Sequence, residues 1–105
     1  MKLIKAIIRP EKETDVIQAL EQAGLSALTK WDVLGRGRQK GIRVGGAVYD
    51  ELSKLCCLLV VQDQDAPKAV ETILASARTG HPGDGRIFIS DVKEAYTIRT
   101  GKADA

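Results

Sequence analysis

Aromatic residues and histidine are scarce in this chain of 105 residues, which contains one Trp, one Phe, two Tyr and a single histidine, His81. Nucleophilic and acid–base catalysis require matched partners within hydrogen-bonding reach. No serine or cysteine motif accompanies His81, and the carboxylates are scattered along segments that read as helices. These absences favour a binding protein over an enzyme.

The chain also lacks a strong excess of either charge. Its 16 Lys and Arg residues stand against 14 Asp and Glu residues, a net charge of +2. That balance does not by itself favour nucleic acid or a membrane surface as a partner. Residues 2–9 are interrupted by lysines, which excludes a signal peptide or a membrane span there. We therefore expect a cytoplasmic protein with no membrane and no nucleic-acid partner.

Cysteine occurs only as the adjacent pair Cys56 and Cys57, inside the apolar run LCCLLVV. Neighbouring residues of a strand point to opposite faces of the sheet, so this pair is poorly placed to form a disulfide or share a metal ion. We predict two buried thiols.

Hydrophobic periodicity predicts the order strand, helix, strand twice over. Strand composition marks residues 2–9, 27–35, 54–62 and 86–92. Two segments carry a helical apolar stripe, the first at Val16, Ile17, Leu20 and Ala23 and the second at Val70, Ile73, Leu74 and Ala77. Gly24 and Gly80 are predicted to end these helices, and Asp65 to cap the second.

Two such halves in one domain, residues 1–105, predict a ferredoxin-like α+β fold of order βαββαβ. Its four-stranded antiparallel sheet carries two helices on one face, with a long loop between strands 2 and 3. Few aromatic residues are present to fill a core, and one sheet face stays uncovered, so we expect a homo-oligomer packed through the sheets. Residues 94–101 could form a further short strand that reaches a neighbour.

Glycine and positive charge are concentrated in a long loop and a short one. The long loop, residues 36–53, contains Arg36, Arg38 and Lys40 among glycines but matches neither common nucleotide fingerprint. The short one, residues 78–86, contains Gly-Asp-Gly-Arg, whose backbone N–H groups could converge on an anion beside the Arg86 guanidinium. From the residues alone, an ordinary turn and a solvated or RNA-binding loop remain open.

Three motifs in this order resemble the PII nitrogen-signalling proteins over nearly the whole chain. They are GRGRQKG at residues 35–41, ARTGHPGDGRIF at 77–88 and IRTG at 98–101, after the opening IIRPEK. Within the family, the chain looks most like the subgroup encoded beside nitrogenase. This finer resemblance rests on ALTKWDVLGRGRQKGIRVG, on a shortened central loop and on EAYTIRTG. The resemblance implies a trimeric regulator with ATP or ADP between subunits, and 2-oxoglutarate bound beside ATP through Mg²⁺.

The resemblance also implies residue roles, carried over motif by motif. The implied nucleotide site comprises Thr29, Arg38, Val60, Gly83, Asp84, Gly85, Arg86 and, from a neighbouring subunit, Arg99. Thr29 and Val60 would flank the adenine, and the others would hold phosphates. The implied 2-oxoglutarate site comprises Arg9, Gln39, Lys40, Gly41 and Lys54, with Gln39 also the magnesium ligand. Both assignments suit the ligands, because dicarboxylates need basic side chains and a hard cation needs oxygen ligands.

The implied mechanism is a switch in the regulatory loop, residues 36–53. ATP, Mg²⁺ and 2-oxoglutarate would favour one loop conformation, and their loss or ADP would permit another that binds a target. The implied target is the dinitrogenase component, bound by a homotrimer or by a mixed assembly with a related PII subunit. Many PII proteins have lysine at the position of Arg86 and arginine at the position of Thr97. The short loop favours regulation by ligands over modification of Tyr49.

Two other functions fit the predicted fold less well. An RNA-binding ferredoxin-like module could use the basic glycine-rich loop, but it needs aromatic residues at stacking positions on the sheet. The aromatic residues are only Trp31, Tyr49, Phe88 and Tyr96. A small phosphohydrolase of this fold is disfavoured because no nucleophile or positioned acid–base pair is recognisable.

Overall fold

The computed structural model describes residues 1–36, 42–44, 47–49 and 51–104, with only the backbone described at 42–44 and 47–49. The two helices are α1 (Glu13–Gln22) and α2 (Ala66–Ala77). The strands are β1 (Lys2–Ile8), β2 (Thr29–Gly35), β3 (Ile42–Val44), β4 (Ala47–Tyr49), β5 (Leu52–Val61), β6 (Gly85–Asp91), β7 (Tyr96–Thr97) and β8 (Lys102–Ala103). Neither helix is long and apolar enough to cross a membrane.

Four strands form one antiparallel sheet in the order β2-β5-β1-β6. α1 connects β1 to β2 and α2 connects β5 to β6, and β5 lies between the parallel strands β1 and β2. This arrangement confirms the predicted ferredoxin-like α+β fold.

The hydrophobic core lies between the helices and one sheet face. Every second residue of the central strands is buried there, and the register places Ile4 beside Leu59 and Ile8 beside Leu55. Val16 and Leu20 of α1 and Ile73 of α2 complete the contact. The core is built from aliphatic side chains, as the scarcity of aromatic residues requires.

The opposite face of the sheet is uncovered. Trp31, Val60 and Phe88 lie on it with 42%, 44% and 50% of their surfaces exposed. Cys56 points to this face and Cys57 into the core, and both thiols are buried and free, as predicted. The prediction of an apolar sheet face without helices is therefore confirmed for the described part of the chain.

The second helix differs from its prediction in three respects. Asp65 stands at the N-cap but its side chain accepts no cap hydrogen bond, and Pro67 at the second helical position has no N–H to donate. Leu74 belongs to the predicted buried stripe but is 42% exposed, whereas Ala69, which was not part of that stripe, is buried. The helix ends at Ala77 with an extended Arg78, before Gly80.

Two short hairpins lie outside the four-stranded sheet. β3 and β4 pair with each other inside the predicted long loop, and β5 begins at Leu52, two residues before the predicted start of this strand at Lys54. β7 forms inside residues 94–101, where a further short strand was predicted, and it pairs with β8 of the same chain. That this segment reaches a neighbouring subunit stays a prediction. Residues 37–41 lie outside the described residues.

Candidate functional site

A cleft of about 700 Å³ opens at one end of the uncovered sheet face. The antiparallel register brings the ends of β1 and β2 to the starts of β5 and β6 at this point. The cleft is lined by Ile7, Gly35, Arg36, Leu52, Lys54, Pro82, Gly83, Gly85, Arg86 and Phe88. Segments far apart in the sequence therefore build its walls.

The predicted phosphate loop, residues 78–86, forms one side of the cleft. Gly83 and Gly85 adopt φ angles of +100° and +105°, a region that side chains disfavour. Within the described residues, the backbone N–H groups of Gly83 and Asp84 donate to no protein acceptor. The loop thus leaves two adjacent N–H groups without a protein acceptor in the described residues, and such groups bind anions in backbone nests where they point the same way.

The carboxylate of Asp84 ties the two ends of this loop together. It accepts the backbone N–H groups of Thr79 and Gly80, each at 2.8 Å, the Thr79 hydroxyl, and Nε of Arg9 at 2.9 Å. The hydrogen bond from the Thr79 side chain, followed by that from Arg9, lowers the pKa of Asp84 far below its ordinary value. Asp84 therefore faces into the loop as an ionised acceptor.

The depressed pKa of Asp84 predicts a pH-dependent contribution to stability. Because the folded state favours the carboxylate, this contribution is complete above the ordinary pKa of 3.8 and is lost as the pH falls through the lower folded value. Asp84→Asn should lower the free energy of unfolding at pH 7, with a difference from wild type that shrinks below pH 4. Urea titrations across this range would measure it, and a difference independent of pH would contradict the assignment.

Two further basic side chains hold the loop from the sheet. Arg9 donates from Nη2 to the carbonyl of Pro82 at 2.9 Å, and the Lys54 ammonium donates to the carbonyl of Gly83. Partial burial, and next the charge of Arg9, lower the pKa of Lys54. Arg86 is exposed on the cleft side and makes no ion pair within the described residues. Arg9 and Lys54 therefore anchor the loop to the sheet, and Lys54 and Arg86 add positive charge to the lining of the cleft.

The structure brings together six of the residues expected at the site. They are Arg9, Lys54, Gly83, Asp84, Gly85 and Arg86. Thr29 and Val60 lie farther along the same sheet face. Val60 pairs with Leu3 of β1, and Arg86 pairs with Ile7 of the same strand. Because Leu3 and Ile7 are four residues apart, Val60 and Arg86 are separated by roughly 13 Å along the strand direction.

The remaining expected residues are not in this cluster. Arg99 is exposed in the turn between β7 and β8, outside the residues that line the cleft. Arg38, Gln39, Lys40 and Gly41 lie outside the described residues. The described contact of His81 is made by its backbone N–H, which donates to Thr79 Oγ1 at 3.2 Å.

Sequence reasoning missed Thr79 and Pro82, which contact the expected site residues directly. One signal for Thr79 was available, since a threonine five residues before an aspartate in a glycine-rich turn can accept and donate local hydrogen bonds. No comparable signal exists for the Pro82 carbonyl, because its partner Arg9 is more than 70 residues away in the chain.

Fold and site together define a ferredoxin-like domain with a basic, glycine-rich cleft at the end of an uncovered sheet face. The family model described as nitrogen regulatory protein P-II matches residues 1–102, and the chain belongs to that family. It is therefore a regulatory protein and not an enzyme.

Relatives place the chain within the family. It is 57% identical over 102 residues, 97% of each chain, to "Nitrogen fixation nifHD1 region GlnB-like protein 1" of Methanosarcina barkeri. It is 57% identical over 100 residues, 95% of each, to the nifHD region GlnB-like protein 1 of Methanothermobacter marburgensis. "Nitrogen regulatory protein P-II 2" of Methanothermobacter thermautotrophicus is 51% identical over 107 residues. The predicted resemblance to PII proteins, and to the nitrogenase-associated subgroup, is confirmed.

The described sheet offers little support for RNA binding. Trp31 and Phe88 are exposed on the same face, but they lie on the outer strands β2 and β6, with β5 and β1 between them. A stacking platform for successive bases needs aromatic rings close together.

Proposed function

We propose that the protein senses adenine nucleotide and 2-oxoglutarate in this cleft and signals their levels to a protein of nitrogen fixation. The observation that carries the proposal is one cleft lined both by Gly83 and Arg86, whose N–H and guanidinium groups suit phosphates, and by Lys54, whose ammonium suits a carboxylate. Multiple donors and fixed positive charge are what a polyphosphate requires.

The nucleotide is proposed to lie along the uncovered sheet face. Its phosphates would contact the N–H groups of Gly83 and Asp84 and the guanidinium of Arg86. Its adenine would extend toward Thr29 and Val60, which lie on the same face. Arg38, and Arg99 of a neighbouring subunit, would add positive charge to the phosphates.

The 2-oxoglutarate is proposed to bind beside the phosphates. Lys54 and Arg9 supply the cations for its carboxylates, and both already face the cleft end of the loop. Lys40 and Gly41 complete the proposed site, and Gln39 would hold Mg²⁺. The magnesium ion would neutralise charge between phosphate and keto acid. Asp84 is an unsuitable ligand for it, because both carboxylate oxygens already accept hydrogen bonds within the loop.

The partners follow from the relatives and the uncovered sheet face. The names of two relatives place them in nitrogen-fixation gene regions, which supports the dinitrogenase component as the proposed target. Trp31, Val60 and Phe88 present an apolar surface that a trimer, homomeric or mixed with a related PII subunit, would bury. We propose that this assembly acts in the cytoplasm, with residues 36–53 as the surface that binds the target.

Lys54→Met should weaken 2-oxoglutarate binding by roughly tenfold or more while leaving ATP affinity within a few-fold. The reason is that a hydrogen bond to a charged group is worth about 1.5–3 kcal/mol. Calorimetry with ATP, with and without Mg²⁺ and 2-oxoglutarate, would measure both affinities. Lys68→Met is the matched control, since Lys68 is an exposed lysine on α2.

Three results would contradict the proposal. ATP could fail to bind, 2-oxoglutarate could bind equally well without ATP and Mg²⁺, or Lys54→Met could weaken both ligands alike. Tight binding of single-stranded RNA in the same cleft would favour the RNA-binding function instead.

A further inference from the structure

We infer that Thr79 is a positioning residue: through Asp84 it holds the phosphate loop in its anion-accepting shape before any ligand arrives. The inference rests on the proposed function of this loop and adds a residue to which the motif gave no role. Thr79 is exposed and does not line the cleft, so it would act on the ligand only through its contacts within the loop.

The Thr79 hydroxyl joins three positions of the loop. It donates to Asp84 Oδ1 and accepts the backbone N–H of His81 at 3.2 Å. The backbone N–H of Thr79 donates to the other carboxylate oxygen, Oδ2, at 2.8 Å. One residue therefore uses side chain and backbone to anchor Asp84 from the start of the loop.

This anchoring fixes the conformation of the two glycines around Asp84. Gly83 has a positive φ angle, which glycine can leave easily for other regions of the Ramachandran map, whereas Gly85 is also held by the pairing of β6 with β1. A side chain pinned at Asp84 restricts both neighbours at once. The N–H groups of Gly83 and Asp84 then need not be ordered by the ligand, which removes an entropic cost from binding.

The same contacts explain how a carboxylate can stand next to a proposed phosphate site. An unrestrained Asp84 side chain facing the cleft would repel a polyphosphate. Four donors, from Thr79, Gly80 and Arg9, instead turn the charge toward the interior of the loop and compensate it. Thr79 supplies two of these four donors.

The test compares Thr79→Val, which removes the hydroxyl at nearly constant shape, with Thr79→Ser, which keeps it. We expect Thr79→Val to weaken ATP binding by roughly tenfold and to leave adenosine affinity unchanged. Without the hydroxyl's hydrogen bond to Asp84, a smaller fraction of the free protein holds the loop in the binding conformation. Thr79→Ser should bind ATP within about twofold of wild type. Calorimetry with ATP and with adenosine gives both values.

Hydrogen exchange of the ligand-free variants separates positioning from a general loss of structure. In Thr79→Val, amides of residues 80–84 should exchange faster than in wild type, while those of β1 and β5 stay protected. The double variant of Thr79→Val with Asp84→Asn should bind ATP no more weakly than Asp84→Asn alone, because the Thr79 hydroxyl is proposed to act on ATP only through the Asp84 carboxylate.

Two results would overturn the inference. One is Thr79→Val binding ATP as tightly as wild type with unchanged loop exchange. The other is a variant that loses ATP and adenosine affinity together with protection of β1 and β5. If wild-type protein fails to bind ATP, the proposed function fails, while the exchange of residues 80–84 still decides whether Thr79 holds the loop.

Discussion

Gly85→Ala is expected to destabilise the protein by about 3–5 kcal/mol, a large part of the 5–15 kcal/mol that typically separates folded from unfolded domains. A Cβ on Gly85 would overlap the backbone carbonyl of Ile7 and come within 2.8 Å of its carbon. The φ angle of +105° adds roughly 1–2 kcal/mol for any L side chain. Since β1 and β6 pair at this point, relief requires separating two sheet strands.

Urea unfolding at fixed protomer concentration would measure this change, with Gly80→Ala as the matched control. Gly80 belongs to the same loop and has a φ angle of +88°, but a Cβ there would meet nothing within 4 Å. Its substitution should cost only about 1–2 kcal/mol, the conformational penalty alone. Equal losses in the two variants would show that the approach of Gly85 to Ile7 is not what demands glycine.

Arg86→Gln is expected to reduce ATP affinity by about ten- to a hundredfold while leaving the unfolding free energy within roughly 0.5 kcal/mol. Arg86 is exposed at the cleft and makes no ion pair within the described residues, so its removal leaves no buried partner unsatisfied. A charged hydrogen bond to phosphate contributes about 1.5–3 kcal/mol, which sets the expected loss.

Two control variants sharpen the Arg86 experiment. Arg86→Lys preserves the charge, though not the forked geometry, and should keep ATP affinity within about tenfold. His81→Ala should bind ATP as wild type does, because the described hydrogen bond of His81 comes from its backbone. Calorimetry gives all three affinities. If His81→Ala lost as much as Arg86→Gln, the proposed division of roles in the loop would be wrong.

The fold could be predicted from the sequence because its signals are local. Residues 2–9 and 86–92 have strand composition and were placed within a residue or two of β1 and β6. Gly24 ends α1 with a φ angle of +81°, as the position of a glycine after an apolar stripe indicates. The predictions for α2 were less accurate, because which side of a helix is buried depends on the sheet beneath it.

The candidate site could be predicted only in part. The Gly83–Arg86 segment was recognisable because glycines and a basic residue are adjacent in the sequence. The contacts of Arg9 with Asp84 and of Lys54 with Gly83 span large sequence separations and arise from strand pairing. No local pattern marked them, and the roles carried over by resemblance named these residues without their contacts to each other.

The sequence by itself determined the order of helices and strands, the buried and adjacent thiols, the family, and the glycines of the phosphate loop. These depend on residue type, periodicity and short spacing, which a chain carries before it folds. Only the tertiary structure decided that Asp84 faces inward, that Arg9 and Lys54 bind the loop carbonyls, and that Ile7 leaves no room for a side chain at Gly85. Those facts depend on the register of β1 with β5 and β6, which brings distant backbones within hydrogen-bonding distance.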